Sequence, residues 1–369
     1  MLIMGPDNAA LVSRYGAPAV AAQVERIQQH LRRVDKALDT AARPRVFLAY
    51  RQVNWEEHGL LQPWQEVADV VAWNFGGIND RFDSDWHRGP KAAFNAELLK
   101  RVYAAQAEQK IDIFFGYLSG RQVTAETIQA IGELGIITVN ISLDDTTKFW
   151  GFDEPAGHSG IAPIAAAFDI CITTQATQDV AKYLSVEANP LFLPPGGNPR
   201  AFSFTEIARD IPISFVGQAY GARLPIVKAL RSAGIPIQTF GKGWPGGAIS
   251  QAEMQTIYSR SLINLGFGYI GGDTALIGLK GRDFEVPLTG GLYLTTYNPD
   301  LAEYLEPGRQ IDCYTSIEEM IDKINYYLAH PAQAMTIGRA GREEVLARHT
   351  WRHRFETLLN VASAKDSRR

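Results

Sequence analysis

The sequence predicts an α/β protein of two domains, each built on a parallel sheet that carries helices on both faces. Three observations support this prediction. The chain has 369 residues, which is more than one ordinary domain contains and corresponds to two domains of about 150–200 residues. Short apolar runs alternate with helical segments, as expected for parallel strands that are buried on both faces. A stretch rich in proline and glycine, LPPGGNPRAFSF at 193–204, interrupts the alternation and is interpreted as the linker between the domains.

The first domain, predicted over 1–198, begins with an amphipathic helix at 17–41. Its apolar residues recur at helical spacing from Val24 to Leu38. Further helices are predicted at 91–109 and 123–134. The predicted strands are the apolar runs RVFLAY (45–50), DVVAWNF (69–75), IDIFFGYL (111–118), GIITVNISL (135–143), FDICITT (168–174) and PLFLPP (190–195).

The second domain is predicted over 199–348, and a last helical segment over 349–369. Its helices include 221–234 and 251–260. Two helix starts have the spacing of a capping box, namely Ser250 with Glu253 and Ser316 with Glu319. The predicted strands are PISFVGQ (212–218), IPIQTF (235–240), LINLGFG (262–268), GLYLTT (291–296) and QIDCYT (310–315). In folds of this kind, ligands bind outside the carboxyl ends of the strands.

The overall charge and composition exclude several classes of protein. The formal net charge is −4, which gives no indication of a nucleic-acid or anionic-membrane partner, so phosphate binding would need a local cluster of cations. The two cysteines, Cys171 and Cys313, lie in apolar runs and do not suggest a disulfide framework. The sequence shows no secretion signal and no apolar run of the roughly 18 residues that a membrane span needs. We therefore expect a cytoplasmic protein without a membrane span.

Four charges lie close together at 280–285: Lys280, Arg282, Asp283 and Glu285. A short helix is predicted to begin near Glu285, with Pro287 in its first turn. The free N–H groups of such a helix start, together with Lys280 and Arg282, suit a diphosphate. Glu285 would repel phosphate but can accept hydrogen bonds from the two hydroxyl groups of a ribose. The alternative from composition alone is a solvated surface loop with one salt bridge.

A family resemblance favours the first interpretation. The pattern K-x-R-x-F-E, from Lys280 to Glu285, and the following PLTGGLYLTTYNPDLAEYLEPGRQIDCY resemble the C-terminal domain of the group 1 glycosyltransferases, and more closely their CgeB-like branch. FGKGW (240–244), the segment 316–354 and, more loosely, FVGQAYGARLP (215–225) fit the same resemblance. It implies a GT-B fold, in which two Rossmann-like domains face a cleft. The second domain would then hold a nucleotide-sugar donor and the first an acceptor, and the C-terminal helix would cross back to the first domain.

The resemblance also implies roles for individual residues. Glu285 corresponds to the glutamate that binds the donor ribose, and Lys280 and Arg282 lie where the diphosphate is held. The other donor-side positions that we expect are Arg223 near the phosphates, Gly241, Lys242 and Trp244 beside the nucleotide base, and Gly290 in the turn that follows Glu285. Many retaining members carry a second acidic residue eight positions before the ribose-binding glutamate, where this chain has Ile277. Both retention, which is slightly favoured, and inversion therefore stay open.

A catalytic base, if the reaction needs one, is sought in LDDTTK at 143–148. Asp144 and Asp145 follow a predicted parallel strand, and either one would be near the ligand end of the sheet. Each could deprotonate an acceptor hydroxyl, or simply cap the turn. Weaker candidates are His158, Glu56 and His58.

Three other motifs have ordinary structural explanations. GKGWPG (241–246) has the spacing of a dinucleotide-binding loop, but Pro245 and the residues after it do not open a helix. His349 and His353 are spaced like metal ligands on a helix, but Thr350 replaces the glutamate of H-E-x-x-H. DSD at 83–85 lies in a polar loop and not at the end of an apolar strand. We therefore predict no metal site and no cofactor other than the donor substrate.

These features predict a metal-independent glycosyltransferase that moves a sugar from a nucleotide-sugar donor to an unknown hydroxyl acceptor. Cations and backbone N–H groups would stabilise the departing diphosphate, and the two substrates would be positioned for transfer. Two alternatives stay open. One is a nucleotide-sugar epimerase of the same fold, and the other is a non-catalytic subunit that binds a nucleotide sugar.

Overall fold

The computed structural model describes residues 2–3, 5–78, 85–154, 157–175, 177–270 and 273–363. The chain divides into two compact units. The first contains the residues up to Pro194 and the C-terminal segment from Arg354, and the second runs from Pro195 to His353. The chain passes between the units at 194/195 and again at 353/354, whereas the sequence placed the divisions after residues 198 and 348.

The first unit contains a parallel sheet covered by helices. Its described strands are β1 (Arg45–Tyr50), β2 (Asp69–Asn74), β3 (Ile113–Gly116), β4 (Ile137–Ser142), β5 (Asp153–Glu154), β6 (Gly157–His158), β7 (Ile170–Thr173) and β8 (Pro190–Phe192). Its described helices are α1 (Asn8–Tyr15), α2 (Val20–Arg33), α3 (Gln62–Val67), α4 (Pro90–Glu108), α5 (Ala125–Gly132), α6 (Asp145–Lys148), α7 (Ala162–Ala165) and α8 (Val180–Ser185). The strand order is β2-β1-β3-β4-β7-β8, while β5 and β6 form a small antiparallel hairpin.

The N-terminal helix differs from the prediction. Of the helix predicted over 17–41, the structure has α2, Val20–Arg33, and a separate helix that was not predicted, α1, precedes it. Helix α2 ends at Arg33 because Asp35 adopts a left-handed conformation with φ 53°. The chain then turns so that Lys36 pairs with Asp169 at 2.8 Å. Leu38 is buried as expected, but it lies outside the helix.

The second unit has the same layered arrangement. Its described strands are β9 (Ile211–Val216), β10 (Ile237–Phe240), β11 (Ser261–Leu265), β12 (Tyr269–Ile270), β13 (Asp273–Ile277), β14 (Leu292–Thr296) and β15 (Asp312–Tyr314). Its described helices are α9 (Arg223–Ser232), α10 (Gln251–Arg260), α11 (Arg282–Leu288), α12 (Pro299–Ala302), α13 (Ile317–Ala329) and α14 (Pro331–Arg348). The parallel sheet has the order β10-β9-β11-β14-β15, and β12 pairs antiparallel with β13. The prediction of two parallel-sheet α/β domains is confirmed.

The two expected capping boxes have different outcomes. At α10, the Ser250 side chain accepts the Glu253 N–H and the Glu253 carboxylate accepts the Ser250 N–H, so the full box is confirmed. At α13, the Ser316 side chain accepts the Glu319 N–H at 3.1 Å. The Glu319 carboxylate instead accepts hydrogen bonds from the backbone and hydroxyl of Thr315.

The last helix, α15 (Trp351–Ala362), begins in the second unit and continues in the first. The Phe355 ring stacks on Trp64 with a centroid separation of 4.2 Å and meets the edge of Phe115 at 5.7 Å. The Arg354 Nε donates to the Pro194 carbonyl at 3.1 Å. From Arg354 onward, the helix therefore contributes to the core of the first unit. None of the described helices has the length and apolar character that would allow it to cross a membrane.

Candidate functional site

Two glycine-containing loops meet at the carboxyl end of the second unit's sheet. Beyond β9 and β10, the Gly217 N–H donates to the Phe240 carbonyl and the Ala219 N–H to the Lys242 carbonyl, both at 2.9 Å. Gly241 has φ 118°, and a Cβ atom on it would lie 2.6 Å from the Gly217 oxygen. The two loops are therefore held closer together than a side chain at position 241 would permit.

Two guanidinium groups lie against one aromatic ring beneath these loops. The Cζ atoms of Arg223 and Arg282 are each 5.5 Å from the centroid of the Phe215 ring. Arg223 also lies 4.3 Å from the Tyr220 ring and donates to the Gln218 carbonyl at 3.0 Å. Burial, followed by the positive charge of Arg282, lowers the pKa of Arg223 to about 10. Burial also acts to lower the pKa of Arg282, but Tyr258, Tyr293, Asp283 and Glu285 outweigh it and raise that pKa. Arg223 is thus the desolvated cation that an anionic ligand would stabilise most.

Arg282 carries the clearest mark of a ligand site. Its Nη1 atom is buried and has no hydrogen-bond partner in the described part of the chain. A buried unsatisfied donor costs about 1–3 kcal/mol, and more for a charged group. The guanidinium also lies close to Gly217, where a Cβ atom would be 3.2 Å from Arg282 Nη2. A phosphate oxygen is the kind of acceptor that would satisfy this nitrogen.

The turn that carries Lys280 and Glu285 differs in detail from the prediction. Helix α11 begins at Arg282, not near Glu285, so Pro287 lies inside the helix and not in its first turn. The Glu285 carboxylate folds back over the turn, because a Cβ atom on Gly281 would lie 3.1 Å from Glu285 Oε1. Arg282 and Glu285 therefore both belong to the start of α11, with Lys280 just before it.

The remaining donor-side predictions separate into different environments. Lys242 is exposed on the loop after β10, whereas Trp244 is buried. The Trp244 indole donates to the Gly217 carbonyl at 2.8 Å and meets the Phe215 ring edge-on. It thus supports the Gly217 loop from within the unit.

Gly290, which the sequence predicted as a donor-binding residue, lies at the opposite end of α11 from Arg282 and just before β14. Arg209 donates to the carbonyls of Thr289 and of Ser261, the first residue of β11, so Gly290 lies beside the amino end of the sheet. Its φ is 75°, and a Cβ atom on it would lie 2.9 Å from the Phe204 ring. Gly290 is therefore required for the turn into β14 and for close packing.

The first unit has an open cavity of about 620 Å³ at the carboxyl ends of β1, β3 and β4. Its lining combines aromatic, aliphatic and charged side chains. The lining residues include Arg51, Glu56, Tyr117, Arg121, Asp144, Lys148, Phe152 and Glu154. Asp144 is half-exposed at this cavity and pairs with Lys148 at 2.6 Å. Of the two predicted bases, Asp144 has access to a ligand.

Asp145 has a different position. Its side chain is fully buried, with Oδ1 accepting from the Ser142 hydroxyl at 2.5 Å and Oδ2 from the Tyr183 hydroxyl at 2.7 Å. Burial raises the pKa of Asp145 to about 6. An acceptor hydroxyl has no route to a carboxylate enclosed in this way. We infer that Asp145 fixes the end of β4 and does not act as the base.

The three weaker candidates for the catalytic base lie in different environments. Glu56 is buried and accepts the N–H groups of Val53 and Asn54 at 2.8 and 2.9 Å. His58 is buried in a π-helical turn, and His158 is exposed on the β5–β6 hairpin. Glu56 therefore shapes a loop that borders the cavity.

Sequence reasoning missed a charged group beside this cavity. Glu154 pairs with Arg121 and accepts from His87 Nε2 at 2.8 Å. His87 Nδ1 is buried without a partner in the described residues. These residues come from three separate segments and form no local pattern. On the donor side, Phe215 and Tyr220 were missed because aromatic residues near a strand end look like core residues.

In the described residues, the glycine motif at 241–246 and the histidine pair at 349 and 353 do not have the geometry of the dinucleotide and metal sites that their spacing resembles. Residues 241–247 form hydrogen-bonded turns, and the next helix, α10, begins only at Gln251. His349 pairs with Glu344 at 3.2 Å, whereas His353 bonds the Thr350 hydroxyl at 2.7 Å. Asp83 and Ser84 of the DSD stretch lie outside the described residues. Within the part of the chain that is described, no three His, Cys, Asp or Glu side chains cluster as metal ligands would.

Residues 223–360 match the protein family described as "Glycosyl transferase-like". This range begins at Arg223 and includes the whole Lys280–Glu285 cluster. None of the curated protein sequences matches the chain significantly.

Several solved structures have a similar fold. The chain superposes on a sucrose-phosphate synthase from Thermosynechococcus elongatus with a TM-score of 0.54 and 13% identity, over 86% of this chain and 97% of that one. It superposes on HepE from Anabaena, solved in complex with UDP-glucose, with a TM-score of 0.56 and 10% identity, over 85% and 99%. For a glycosyltransferase from Rickettsia africae, the values are 0.53 and 10%, over 87% and 98%. The chain therefore has the two-domain GT-B fold.

Proposed function

We propose that the protein is a glycosyltransferase that moves a sugar from a nucleotide-sugar donor to a hydroxyl acceptor, and that it belongs to the CgeB-like branch. The observation that carries the proposal is the pair of guanidinium groups on Phe215, with the unsatisfied Nη1 of Arg282. The family match over 223–360 and the GT-B fold agree with it. HepE, a structural neighbour, was solved with UDP-glucose, which makes UDP the first nucleotide to test.

In the proposed reaction, the bond between the anomeric carbon and the β-phosphate oxygen breaks, and a bond to the acceptor oxygen forms. Arg223, Arg282 and Lys280 stabilise the negative charge that develops on the departing diphosphate. Glu285 accepts hydrogen bonds from the ribose and fixes the donor's position. No metal ion is needed for this step, because the three cations supply the positive charge.

The acceptor's proton has two destinations, which correspond to the two stereochemical outcomes. We favour retention, in which the leaving phosphate takes the proton. Asp145 is buried, and Asp144 already pairs with Lys148. If the reaction inverts, Asp144 is the base. The anomeric configuration of the product, measured by NMR, distinguishes the two.

The first experiment is a thermal-shift panel of UDP, GDP, ADP, CMP and dTDP. A ligand at about 100 times its dissociation constant adds about 2.7 kcal/mol of stability. The donor that matches the selected nucleotide is then tested for slow hydrolysis without acceptor, with and without excess EDTA. Hydrolysis that survives EDTA supports the proposal. Tight binding without hydrolysis indicates a non-catalytic binding subunit, and activity restored only by manganese contradicts metal independence.

The second experiment replaces the residue that carries the proposal. Arg282→Ala should weaken binding of the diphosphate by at least tenfold, since a charge-assisted bond of about 1.5–3 kcal/mol is lost only when phosphate is present. Binding of the corresponding nucleoside should change little. The control is Arg231→Ala at the exposed end of α9, which should affect neither ligand. Equal losses of diphosphate and nucleoside would place Arg282 away from the phosphates.

A further inference from the structure

A buried carboxylate lies at the start of helix α11, next to Arg282 of the candidate donor site. Asp283, the second residue of α11, is only 2% exposed. Its Oδ2 accepts the backbone N–H of Lys280 at 2.7 Å, and its Oδ1 accepts the Tyr293 hydroxyl at 2.7 Å. The first bond closes the turn from Lys280 to Arg282, and the second connects that turn to strand β14.

The Tyr293 phenol is held in a space formed for it. A Cβ atom on Gly266, just after β11, would lie 2.3 Å from the Tyr293 oxygen. Burial and then the charge of Asp283 raise the pKa of Tyr293 well above its ordinary value, so the phenol keeps its proton and acts as the donor. Three segments thus meet at Asp283: the end of β11, strand β14 and the turn before α11.

The burial of the Asp283 carboxylate disfavours its charged form. Burial raises the pKa of Asp283 to about 6, although the bonds from Tyr293 and Lys280 and the charges of Arg282 and Lys280 act in the opposite direction. A buried charge is weak evidence for stability, because a well-packed apolar residue often serves as well or better. A carboxylate with both oxygens bonded does, however, fix the geometry of what it contacts.

We propose that Asp283, held in place by Tyr293, is a positioning residue that fixes the Lys280–Arg282 turn in the form that binds the donor's diphosphate. The proposal rests on the proposed function, since it needs a diphosphate at Arg282. A turn that is already ordered loses less conformational freedom when the ligand binds, so the gain appears in affinity for the phosphates. Asp283 itself would not touch the ligand.

Tyr293→Phe tests the proposal with the smallest change, because it removes one hydroxyl and keeps the ring. We expect UDP to bind about five- to twentyfold more weakly than to the wild type, which corresponds to losing one hydrogen bond of the positioning group. Uridine, which lacks phosphates, should bind within about twofold of the wild-type value. If the panel selects another base, the matching diphosphate and nucleoside replace this pair.

Tyr314→Phe is the matched control. Tyr314 is a buried phenol at the same end of the sheet, and its hydroxyl donates to the Gly266 carbonyl at 2.7 Å and not to Asp283. It should leave the ratio of the UDP and uridine dissociation constants unchanged. Asp283→Asn is a second test variant, and it should raise the same ratio if it remains folded.

The outcomes separate the two proposals. If the wild type binds UDP and uridine but Tyr293→Phe changes both affinities equally, or changes neither, Asp283 has a structural role only and the positioning proposal is overturned. If Tyr314→Phe raises the ratio of the UDP and uridine dissociation constants as much as Tyr293→Phe does, the positioning proposal is overturned as well. If the wild type binds no nucleoside diphosphate, the proposed function fails first and the positioning role fails with it.

Discussion

At the scale of single residues, the same residue type serves opposite purposes according to its burial and partners. Asp144 and Asp145 are neighbours in the sequence, but one is half-exposed and the other has no exposed surface. Arg209 and Arg282 are both desolvated by burial. Arg209 donates hydrogen bonds to the carbonyls of Tyr258, Ser261 and Thr289, whereas Nη1 of Arg282 has no partner among the described residues. The residues of the candidate site are therefore distinguished by their burial and hydrogen-bond partners more than by their residue types.

The ribose contact makes a prediction about Glu285. If its carboxylate accepts hydrogen bonds from both ribose hydroxyls, Glu285→Ala removes two charge-assisted bonds of about 1.5–3 kcal/mol each. Donor use should then fall at least tenfold and up to a hundredfold or more, measured as kcat/KM. The loss should be much smaller for a 2′-deoxy donor, which already lacks one hydroxyl.

The competing interpretation of Glu285 is a salt bridge to Lys280 or Arg282. In that case, the variant would lose thermal stability without ligand, and ribo and deoxy donors would be affected alike. Near-normal activity of Glu285→Ala on the ribonucleotide donor would remove the ribose role.

Asp145 makes a prediction about pH. Its pKa in the folded protein is about 6, above its ordinary value of 3.8, because burial disfavours the charged form. Its contribution to stability is therefore fully present below pH 3.8 and is lost as the pH rises to about 6. Two pKa units correspond to about 3 kcal/mol.

The measurement compares unfolding of the wild type and Asp145→Asn at pH 4 and pH 7. The wild type should be more stable relative to this variant at pH 4 than at pH 7. Asp144→Asn, at a half-exposed position, is the control and should show a much smaller change. A difference between the wild type and Asp145→Asn that is constant with pH would contradict the buried, raised pKa.

At the scale of elements, the site depends on loops that pack without side chains between them. Gly217 and Gly241 allow the loops after β9 and β10 to touch, and Trp244 supports them from below. Helix α11 then brings Arg282 to the same place. The sequence predicted the strands of both parallel sheets near their observed positions, but not these contacts between loops.

Gly241→Ala should disturb this arrangement. The new Cβ atom would lie 2.6 Å from the Gly217 oxygen, at a backbone φ of 118° that other residues rarely adopt. We expect a loss of stability of about 1–3 kcal/mol and weaker binding of the diphosphate, because the Arg223 contact with Gln218 depends on this loop. Thermal unfolding and UDP titration measure the two effects.

Gly234→Ala is the control that measures the cost of a side chain at positive φ without a steric clash. Gly234 also has a positive φ, 78°, but a Cβ atom on it would meet nothing within 4 Å. This variant should lose stability and keep its affinity for UDP. Equal weakening of UDP binding by both variants would show that the contact with Gly217 is unimportant.

At the scale of the whole molecule, the first compact unit is completed by a distant part of the chain. The first unit receives Phe355 from the C-terminal helix, whose ring is 1% exposed and stacks on Trp64. The net charge of −4 over the whole chain likewise conceals the local cluster of Arg223, Lys280 and Arg282. The net charge of the whole chain therefore does not indicate where the candidate donor site lies.

Phe355→Ala tests how much the C-terminal helix contributes to the first unit. Removing a buried aromatic ring leaves a cavity and typically costs about 3–5 kcal/mol. We expect that loss in the unfolding of the first unit, followed by urea denaturation with tryptophan fluorescence, to which Trp64 contributes, as the signal. Asn360→Ala, exposed on the same helix, should stay within about 0.5 kcal/mol of the wild type. Similar stabilities of the two variants would mean that the helix adds little.

The sequence by itself determined the fold class, most strand positions, the capping box at Ser250 and the presence of a charge cluster at Lys280–Glu285. These features are local, because strand periodicity, capping and charge spacing involve residues only a few positions apart. The tertiary structure alone decided that Arg223 and Arg282 both lie against Phe215, that Asp145 is buried while Asp144 is accessible, and that Gly290 lies at the opposite end of α11 from Arg282. Such outcomes depend on which loops the parallel sheet brings to the same end and on which side chains its packing encloses. Neither can be read from spacing along the chain.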